Sequence, residues 1–241
     1  MAYTEGGKKV FGYRIGILML EADFPRVQGD IGNAETFPFP VLYKVVHISP
    51  EEVVVRLKDS DVSIFIEAAR ELEKEGAQAI FTGCGFLAMF QDKITAALDV
   101  PFIASNLIMI PLVRKILPKD REIGVMTVNS DTLSRRHFAG VGAEDIPKIV
   151  YGLQTESEFT SSILENRTRM DIDLCRSEHI RVAQKMMREH PEVGAIVLEC
   201  TNMPPFAADI RKAAGVPVFD ICSLIRYVYR ALSPVVYTGE L

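Results

Sequence analysis

Two segments of this chain repeat one pattern, and the repetition restricts the fold more than any other feature. The first reads Ala-Ile-Phe-Thr-Gly-Cys-Gly at residues 79–85, and the second reads Ala-Ile-Val-Leu-Glu-Cys-Thr-Asn at residues 195–202. When Cys84 is aligned on Cys200, the match continues without a gap through the next helix pattern and strand. We therefore predict a duplicated unit, with repeats at about 1–117 and 118–241 and one cysteine at the same point of each repeat.

Apolar runs alternate with helical patterns along the whole chain. The run at 15–20 and its counterpart at 123–127 predict the first strand of each repeat. Such alternation predicts an α/β fold with two pseudo-symmetric lobes, each a parallel sheet flanked by helices. Ligands of parallel sheets bind outside the carboxyl ends of the strands, where both cysteines fall. We therefore expect the active site in the cleft between the lobes.

Other elements follow from local signals. Ser60 or Asp61 can cap a helix that Gly76 ends, and a second helix is expected near Ser130 or Asp131. A helix is also expected directly after each repeated cysteine. Residues 21–40 are rich in proline and glycine, and a loop of this length inside a compact domain is usually functional or disordered.

Composition narrows the class of protein. The net charge of −5 and the interspersed charges give no basic surface for nucleic acid and no polybasic membrane patch. No signal-peptide pattern is seen, and no apolar run approaches the roughly 20 residues that a membrane span needs. Four cysteines without short paired spacings indicate reduced thiols, so we predict a cytoplasmic protein.

The position of each repeated cysteine suggests chemistry. A helix start favours an anion, so it can lower a thiol pKa from about 8.5 toward neutrality, and the same N–H groups can hold a carboxylate. A lone cysteine after an apolar strand is more often a core residue. The repetition favours catalysis by Cys84 and Cys200, whereas Cys175 and Cys222 have no such counterpart and are interpreted as structural.

Cofactor and metal signals are weak. Residues 83–88 match the dinucleotide fingerprint G-x-G-x-x-A, but they follow the third strand and no acidic residue ends the next strand. The four histidines show no ligand spacing with each other or with the cysteines. We therefore predict no cofactor and no metal.

The motifs Thr82-Gly-Cys-Gly85 and Glu199-Cys-Thr-Asn202 resemble those of the aspartate/glutamate racemase superfamily. That group also contains hydantoin racemases, maleate isomerases and arylmalonate decarboxylases. The resemblance implies that Cys84 and Cys200 remove and deliver an α-proton on opposite faces of the substrate, without a cofactor. It also implies that the last helix returns to the first lobe, which would give lobes of 1–105 plus 220–241 and of 106–219.

Substrate contacts are predicted around these motifs. By resemblance, Thr201 and Asn202 match residues that bind the substrate carboxylate. Arg26 could bind a carboxylate bidentately, although a solvated loop charge is an equal alternative. Strand alternation turns Glu199 away from Cys200, which predicts a packing role for it. The full set of candidate substrate-binding residues is Gly85, Thr201, Asn202, Thr127, Asn129 and Arg26.

The resemblance implies an isomerase, namely a cofactor-independent racemase of an acidic amino acid or a related small carboxylate. Two alternatives stay open at this point: a maleate-type cis–trans isomerase of a small dicarboxylate, and a non-catalytic carboxylate-binding protein. The expected partner is a small carboxylate or amino acid, with no nucleic acid and no membrane, and homo-oligomer formation is left open.

Overall fold

The computed structural model describes residues 6–8 and 10–239. The strands are β1 Ile15–Leu20, β2 Val41–Val46, β3 Ala79–Thr82, β4 Phe102–Ile103, β5 Glu122–Thr127, β6 Lys148–Gly152, β7 Val193–Leu198 and β8 Val218–Phe219. They form two parallel four-stranded sheets, ordered β2-β1-β3-β4 and β6-β5-β7-β8. The predicted α/β fold with two lobes is thereby confirmed.

The two sheets repeat each other in register as well as in order. In the first sheet Leu18 of β1 lies opposite Thr82 of β3, and in the second Met126 of β5 lies opposite Leu198 of β7. All six residues of β1 are buried, as a central parallel strand with helices on both faces requires. The ungapped sequence match therefore corresponds to equivalent positions in two sheets.

Helices cover the sheets. Among them, the helix Val62–Glu75 ends where Gly76 adopts a left-handed φ of 102°, a conformation that costs a residue with a side chain more than it costs glycine. The helices are α1 Pro50–Arg56, α2 Val62–Glu75, α3 Gln91–Thr95, α4 Ile110–Ile116, α5 Arg135–Ala139, α6 Phe159–Leu164, α7 Ile172–Glu189, α8 Ala207–Ala214 and α9 Ile221–Leu232.

The segments after the cysteines differ from the prediction. Residues Gly85–Phe90 form a 3₁₀ helix before α3, and Pro204–Phe206 form another before α8. A 3₁₀ helix is tighter and is used in short pieces, which here turns Phe86 and Leu87 into the core. The expectation of an α-helix starting directly at each cysteine is therefore wrong.

The helix expected near Ser130 begins later, at Arg135, with Ser134 as its N-cap. The earlier start is prevented by Gln154, whose amide donates to Ser130 Oγ at 2.7 Å and to Asp131 Oδ1 at 3.1 Å. These bonds hold the start of the segment as a loop, because the polar side chains that could have capped a helix are used elsewhere.

Helix α9 packs against the first sheet, although it follows the second sheet in the chain. Its residues Ile221, Cys222 and Ile225 share a buried cluster with Ile15 and Ile17 of β1. The lobe boundaries at 105, 106, 219 and 220 stay a prediction. No helix in the described part of the chain is long and apolar enough to span a membrane.

Candidate active site

A narrow pocket lies between the carboxyl ends of the two sheets. It brings together Cys84 and Cys200, for which the strand-end positions predicted a shared cleft, and it also includes Arg26 of the long first loop. Most of its wall is apolar. The lining residues are Leu20, Phe24, Arg26, Pro50, Val54, Gly83, Cys84, Gly85, Phe86, Val128, Ile163, Glu199, Cys200, Thr201 and Asn202.

Two threonines fix the turns that carry the cysteines. Thr82 at the end of β3 donates from Oγ1 to Ala104 O at 2.6 Å. Thr201 donates from Oγ1 to Gly83 O at 2.6 Å, so this bond joins the second cysteine turn to the first. The side chain of Thr201 is thus already bonded within the protein and holds the two halves of the site together.

Burial controls the acidity of the cysteines. Burial, followed by the Glu199 carboxylate, raises the pKa of the Cys84 thiol to about 12, while the Phe86 N–H and Arg26 act in the opposite direction. Burial also raises the pKa of the Cys200 thiol well above its ordinary value, and Glu199 adds to this effect. The direction is opposite to the one expected from the sequence, because the helix-start effect is smaller than the cost of desolvating a thiolate.

Glu199 belongs to the cavity rather than to the far side of the strand. Its Oε2 accepts a hydrogen bond from Thr127 Oγ1 at 2.7 Å, while its Oε1 is buried without a hydrogen-bond partner. Burial raises the pKa of the Glu199 carboxyl to about 7. The alternation argument failed because β7 ends at Leu198, so Glu199 lies beyond the regular strand.

Gly85 is required by the same carboxylate. A Cβ at position 85 would lie 2.2 Å from Glu199 Oε1 and 2.4 Å from Glu199 O, which is closer than real Cβ atoms approach. The missing side chain lets the carboxyl group sit against the first cysteine turn. Gly85 therefore shapes the site through its neighbour, and substrate contact by Gly85 stays a prediction.

Asp30 orders the long loop at 21–40 and joins it to the second lobe. Its Oδ1 accepts from Arg26 at 2.9 Å, and its Oδ2 accepts from Asn202 Nδ2 at 2.7 Å. Asn202 Oδ1 in turn lies 3.6 Å from Cys200 Sγ, which donates to it. Sequence reasoning missed Asp30, since nothing in the sequence marks one acidic residue of a loop as a contact to the other lobe.

Arg26 is held within the site. The exposed fraction of its side chain is 15%, and its guanidinium carbon lies 4.3 Å from the centroid of the Phe24 ring. The alternative of a solvated loop charge is therefore wrong. Thr127 and Asn129 do not line the cavity, because Thr127 lies behind Glu199 and Asn129 accepts from Asp131 N at 3.0 Å.

The two remaining cysteines lie apart from the cavity. Cys175 and Cys222 are buried, and all four cysteines of the chain are free thiols. Within residues 6–8 and 10–239, no group of three histidine, cysteine, aspartate or glutamate residues could hold a metal ion.

The chain was compared with family models, with curated proteins and with solved structures. No family model matches the chain. A dimethylsulfoniopropionate lyase from Durusdinium sp. clade D is 28% identical over 86% of this chain and 70% of that protein. Dimethylsulfoniopropionate lyases 7 and 3 of Emiliania huxleyi are also 28% identical over 86% of this chain. The chain spans 63% and 56% of their lengths, respectively.

Solved structures show the same fold at low sequence identity. A glutamate racemase from Bacillus anthracis has a TM-score of 0.63 and 16% identity, and the match covers 94% of this chain and 84% of that one. A mutant of arylmalonate decarboxylase has a TM-score of 0.62 and 18% identity over 94% and 96% of the two chains. An allantoin racemase from Pseudomonas fluorescens has a TM-score of 0.56 and 16% identity over 90% of both.

These findings correct the functional prediction. The relatives that match along most of the chain are lyases, so the prediction of a racemase is wrong. Racemisation and elimination can both begin with removal of a proton beside a carboxylate, so a prediction of that first step does not decide which product follows. The comparisons support an enzyme, and they confirm the fold of the aspartate/glutamate racemase superfamily that the two cysteine motifs predicted.

Proposed function

We propose that this protein is a lyase that eliminates a neutral sulfide from a β-sulfonium propionate, with Cys84 as the base. The observation that carries the proposal is the match to three dimethylsulfoniopropionate lyases over 86% of the chain. Their substrate, as its name states, is a propionate that carries a dimethylsulfonium group. The cavity contributes what an elimination of this kind needs: a base, a cation for the carboxylate and an apolar wall.

The reaction uses these groups in a balanced way. The Arg26 guanidinium binds the substrate carboxylate, which stabilises the negative charge that develops on the adjacent carbon. The Cys84 thiolate takes the α-proton, the electron pair of that C–H bond forms a C=C bond, and the C–S bond breaks with its pair on sulfur. The products are an acrylate and a neutral sulfide, and the thiol proton afterwards passes to solvent.

Electrostatics favours Cys84 over Cys200 as the base. Arg26 lies close enough to Cys84 to lower the pKa of that thiol, which offsets part of the effect of burial and of Glu199. Cys200 instead has Glu199, Cys84 and Asp30 near it, and each of them raises its pKa. The thiolate therefore forms more readily at Cys84.

The apolar wall suits both ends of the reaction. Leu20, Val54 and Ile163 surround the space with side chains that exclude water and contact methyl groups. Exclusion of water strengthens the contact between the guanidinium and the carboxylate. A departing sulfide is neutral and apolar, so it loses no hydrogen bonds while it lies against this wall.

The direct test is release of dimethyl sulfide and acrylate from dimethylsulfoniopropionate, measured by headspace gas chromatography and by NMR against an enzyme-free blank. Cys84→Ser should lower the rate by about 10²–10⁴, the usual contribution of a general base. Cys222→Ser is the matched control, because Cys222 is a buried free thiol outside the cavity, and it should keep the rate. Absence of sulfide from the wild type, or full activity of Cys84→Ser, would refute the proposal.

A further inference from the structure

The charges of the cavity point to a second recognition element. Among the described residues that line it, Arg26 and Glu199 are the ionisable groups other than the two thiols. Arg26 shares its charge with Asp30 through the 2.9 Å ion pair. Glu199 has no cationic partner among the ion pairs of the described residues.

The Glu199 carboxyl group has one oxygen fixed by a hydrogen bond and one oxygen without a partner, as a group that binds a ligand would have. Thr127 holds Oε2, which fixes the orientation of the carboxyl group, and Oε1 keeps its hydrogen-bonding capacity unused in a fully buried position. A buried carboxylate without a partner is costly, so such groups are normally paired or bound to a cation. The glycine at position 85 keeps Oε1 against the first cysteine turn, where any Cβ would displace it.

We propose that Glu199 is the counter-ion of a positively charged group in the substrate, so that the cavity selects onium carboxylates. This inference rests on the proposed function and extends it to the recognition of the cationic end. A short zwitterion would place its carboxylate at Arg26 and its onium group on the Glu199 side of the cavity. Neutral isosteres would meet an uncompensated carboxylate, and dicarboxylates would meet a like charge.

The counter-ion also affects the base. The Glu199 carboxylate raises the pKa values of Cys84 and Cys200, and a bound cation offsets that effect. Substrate therefore favours ionisation of the thiol that attacks it. Among the described residues, the Thr127 hydroxyl donates to Glu199, the Ser105 hydroxyl lies on the same side of Gly85 as Glu199 Oε1, and the Cys84 and Cys200 thiols are the titratable groups whose pKa values Glu199 raises.

Cation binding must be linked to proton release. Glu199 has a pKa of about 7 in the unliganded protein, so part of it is protonated at neutral pH. A bound cation favours the carboxylate form, and affinity for the cation therefore rises with pH through this pKa and levels off above it. A neutral ligand shows no such rise.

Two ligands of nearly equal shape separate charge from size. The two probes are named for their tails, since both carry a carboxylate. The cationic probe is the zwitterion 3-(trimethylammonio)propanoate, whose amine is a poorer leaving group than a sulfide, and the neutral probe is 4,4-dimethylpentanoate, whose tail has no charge. Their dissociation constants are measured by calorimetry on the whole protein at pH 6, 7 and 8. Wild type should bind the cationic probe at least about tenfold more tightly than the neutral one at pH 8, because an unpaired buried charge is costly.

Two variants isolate Glu199. Glu199→Gln has nearly the same shape and should lose the preference for the cationic probe, because the amide neither attracts the onium group nor leaves a buried charge against the neutral tail. Thr127→Val keeps the carboxylate but removes a hydrogen bond that lowers the pKa of Glu199, so the pH at which the cationic probe gains affinity should move upward. A purely structural role of Glu199 would not move that pH profile.

The outcomes are distinguishable from those of the sulfide assay. The counter-ion inference is overturned if wild type shows no preference for the cationic probe, or if Glu199→Gln keeps that preference. Sulfide release without the preference would support the lyase proposal and refute the counter-ion role of Glu199. The preference without sulfide release would support the counter-ion role and refute the lyase proposal.

Discussion

The helix that closes one side of the cavity depends on a buried carboxylate in another helix, which gives a sharp test. Glu178 of α7 is fully buried, and it accepts hydrogen bonds from the backbone N–H groups of Ser157, Glu158 and Phe159 at 3.0, 2.8 and 2.8 Å. The Ser157 hydroxyl donates to it as well, at 3.2 Å. These donors lead into α6, which carries Ile163 into the cavity wall.

We expect Glu178→Gln to lower the free energy of unfolding by about 3 kcal/mol. The Gln oxygen can keep the bonds from Ser157 and Glu158, but they lose their charge assistance, which costs about 1 kcal/mol each. The amide NH₂ then faces the Phe159 N–H, which leaves a buried donor unpaired at a cost of about 1–3 kcal/mol. Loss of the buried charge returns part of the desolvation cost.

The free energy of unfolding is measured by urea denaturation at pH 7, followed by circular dichroism. Glu67→Gln in α2 is the matched control, because Glu67 is exposed and should change stability by less than about 0.5 kcal/mol. A loss below about 1 kcal/mol for Glu178→Gln would refute the assigned role of its carboxylate. Sulfide release should fall more in Glu178→Gln than in Glu67→Gln at a temperature where both are folded, since α6 is loosened.

Three further outcomes follow from the buried groups. If elimination needs one base, the rate of sulfide release should fall about 10²–10⁴-fold in Cys84→Ser and less than about tenfold in Cys200→Ser. Equal losses in the two variants would contradict a single base. With the pKa of Cys84 raised to about 12, the rate should rise about tenfold per pH unit between pH 8 and 10, and a flat profile would refute this. Burial lowers the pKa of His179 to about 4, below its ordinary value of 6.5. The unfolded chain therefore binds the His179 proton first, and the free energy of unfolding of wild type, relative to that of His179→Phe, should fall by about 3 kcal/mol between pH 6.5 and 4 in urea titrations.

Much of the fold could be predicted because its strands correspond to short apolar runs and to a repeated segment in the sequence. The apolar runs at β1 and β5 and the ungapped match around Cys84 and Cys200 are enough to predict two parallel sheets with equivalent cysteines. Helix α6 was missed because it is short, Phe159–Leu164, and three polar residues, Thr160, Ser161 and Ser162, separate its buried apolar residues Phe159 and Ile163. Its order comes from Glu178, which lies elsewhere in the chain.

The candidate site was predicted in part, and the missing parts are contacts between distant segments. The two cysteines could be found because they end strands, and strand ends meet at one edge of a sheet. The pairing of Asp30 with Arg26 and Asn202 joins a loop of the first lobe to a turn of the second, and no spacing encodes it. The elevated pKa of Cys84 likewise depends on burial by both lobes.

The difference between the predicted racemase and the proposed lyase concerns what a strand-end cysteine can and cannot specify. A thiolate beside a guanidinium is suited to removing a proton next to a carboxylate, whichever product follows. A good leaving group on the neighbouring carbon allows elimination to follow, so the second thiol is no longer needed to return a proton. Recognition of that leaving group then becomes the step that defines the reaction. The proposal assigns that recognition to Glu199, which is next to Cys200 in sequence, accepts a hydrogen bond from Thr127 and raises the pKa of both thiols.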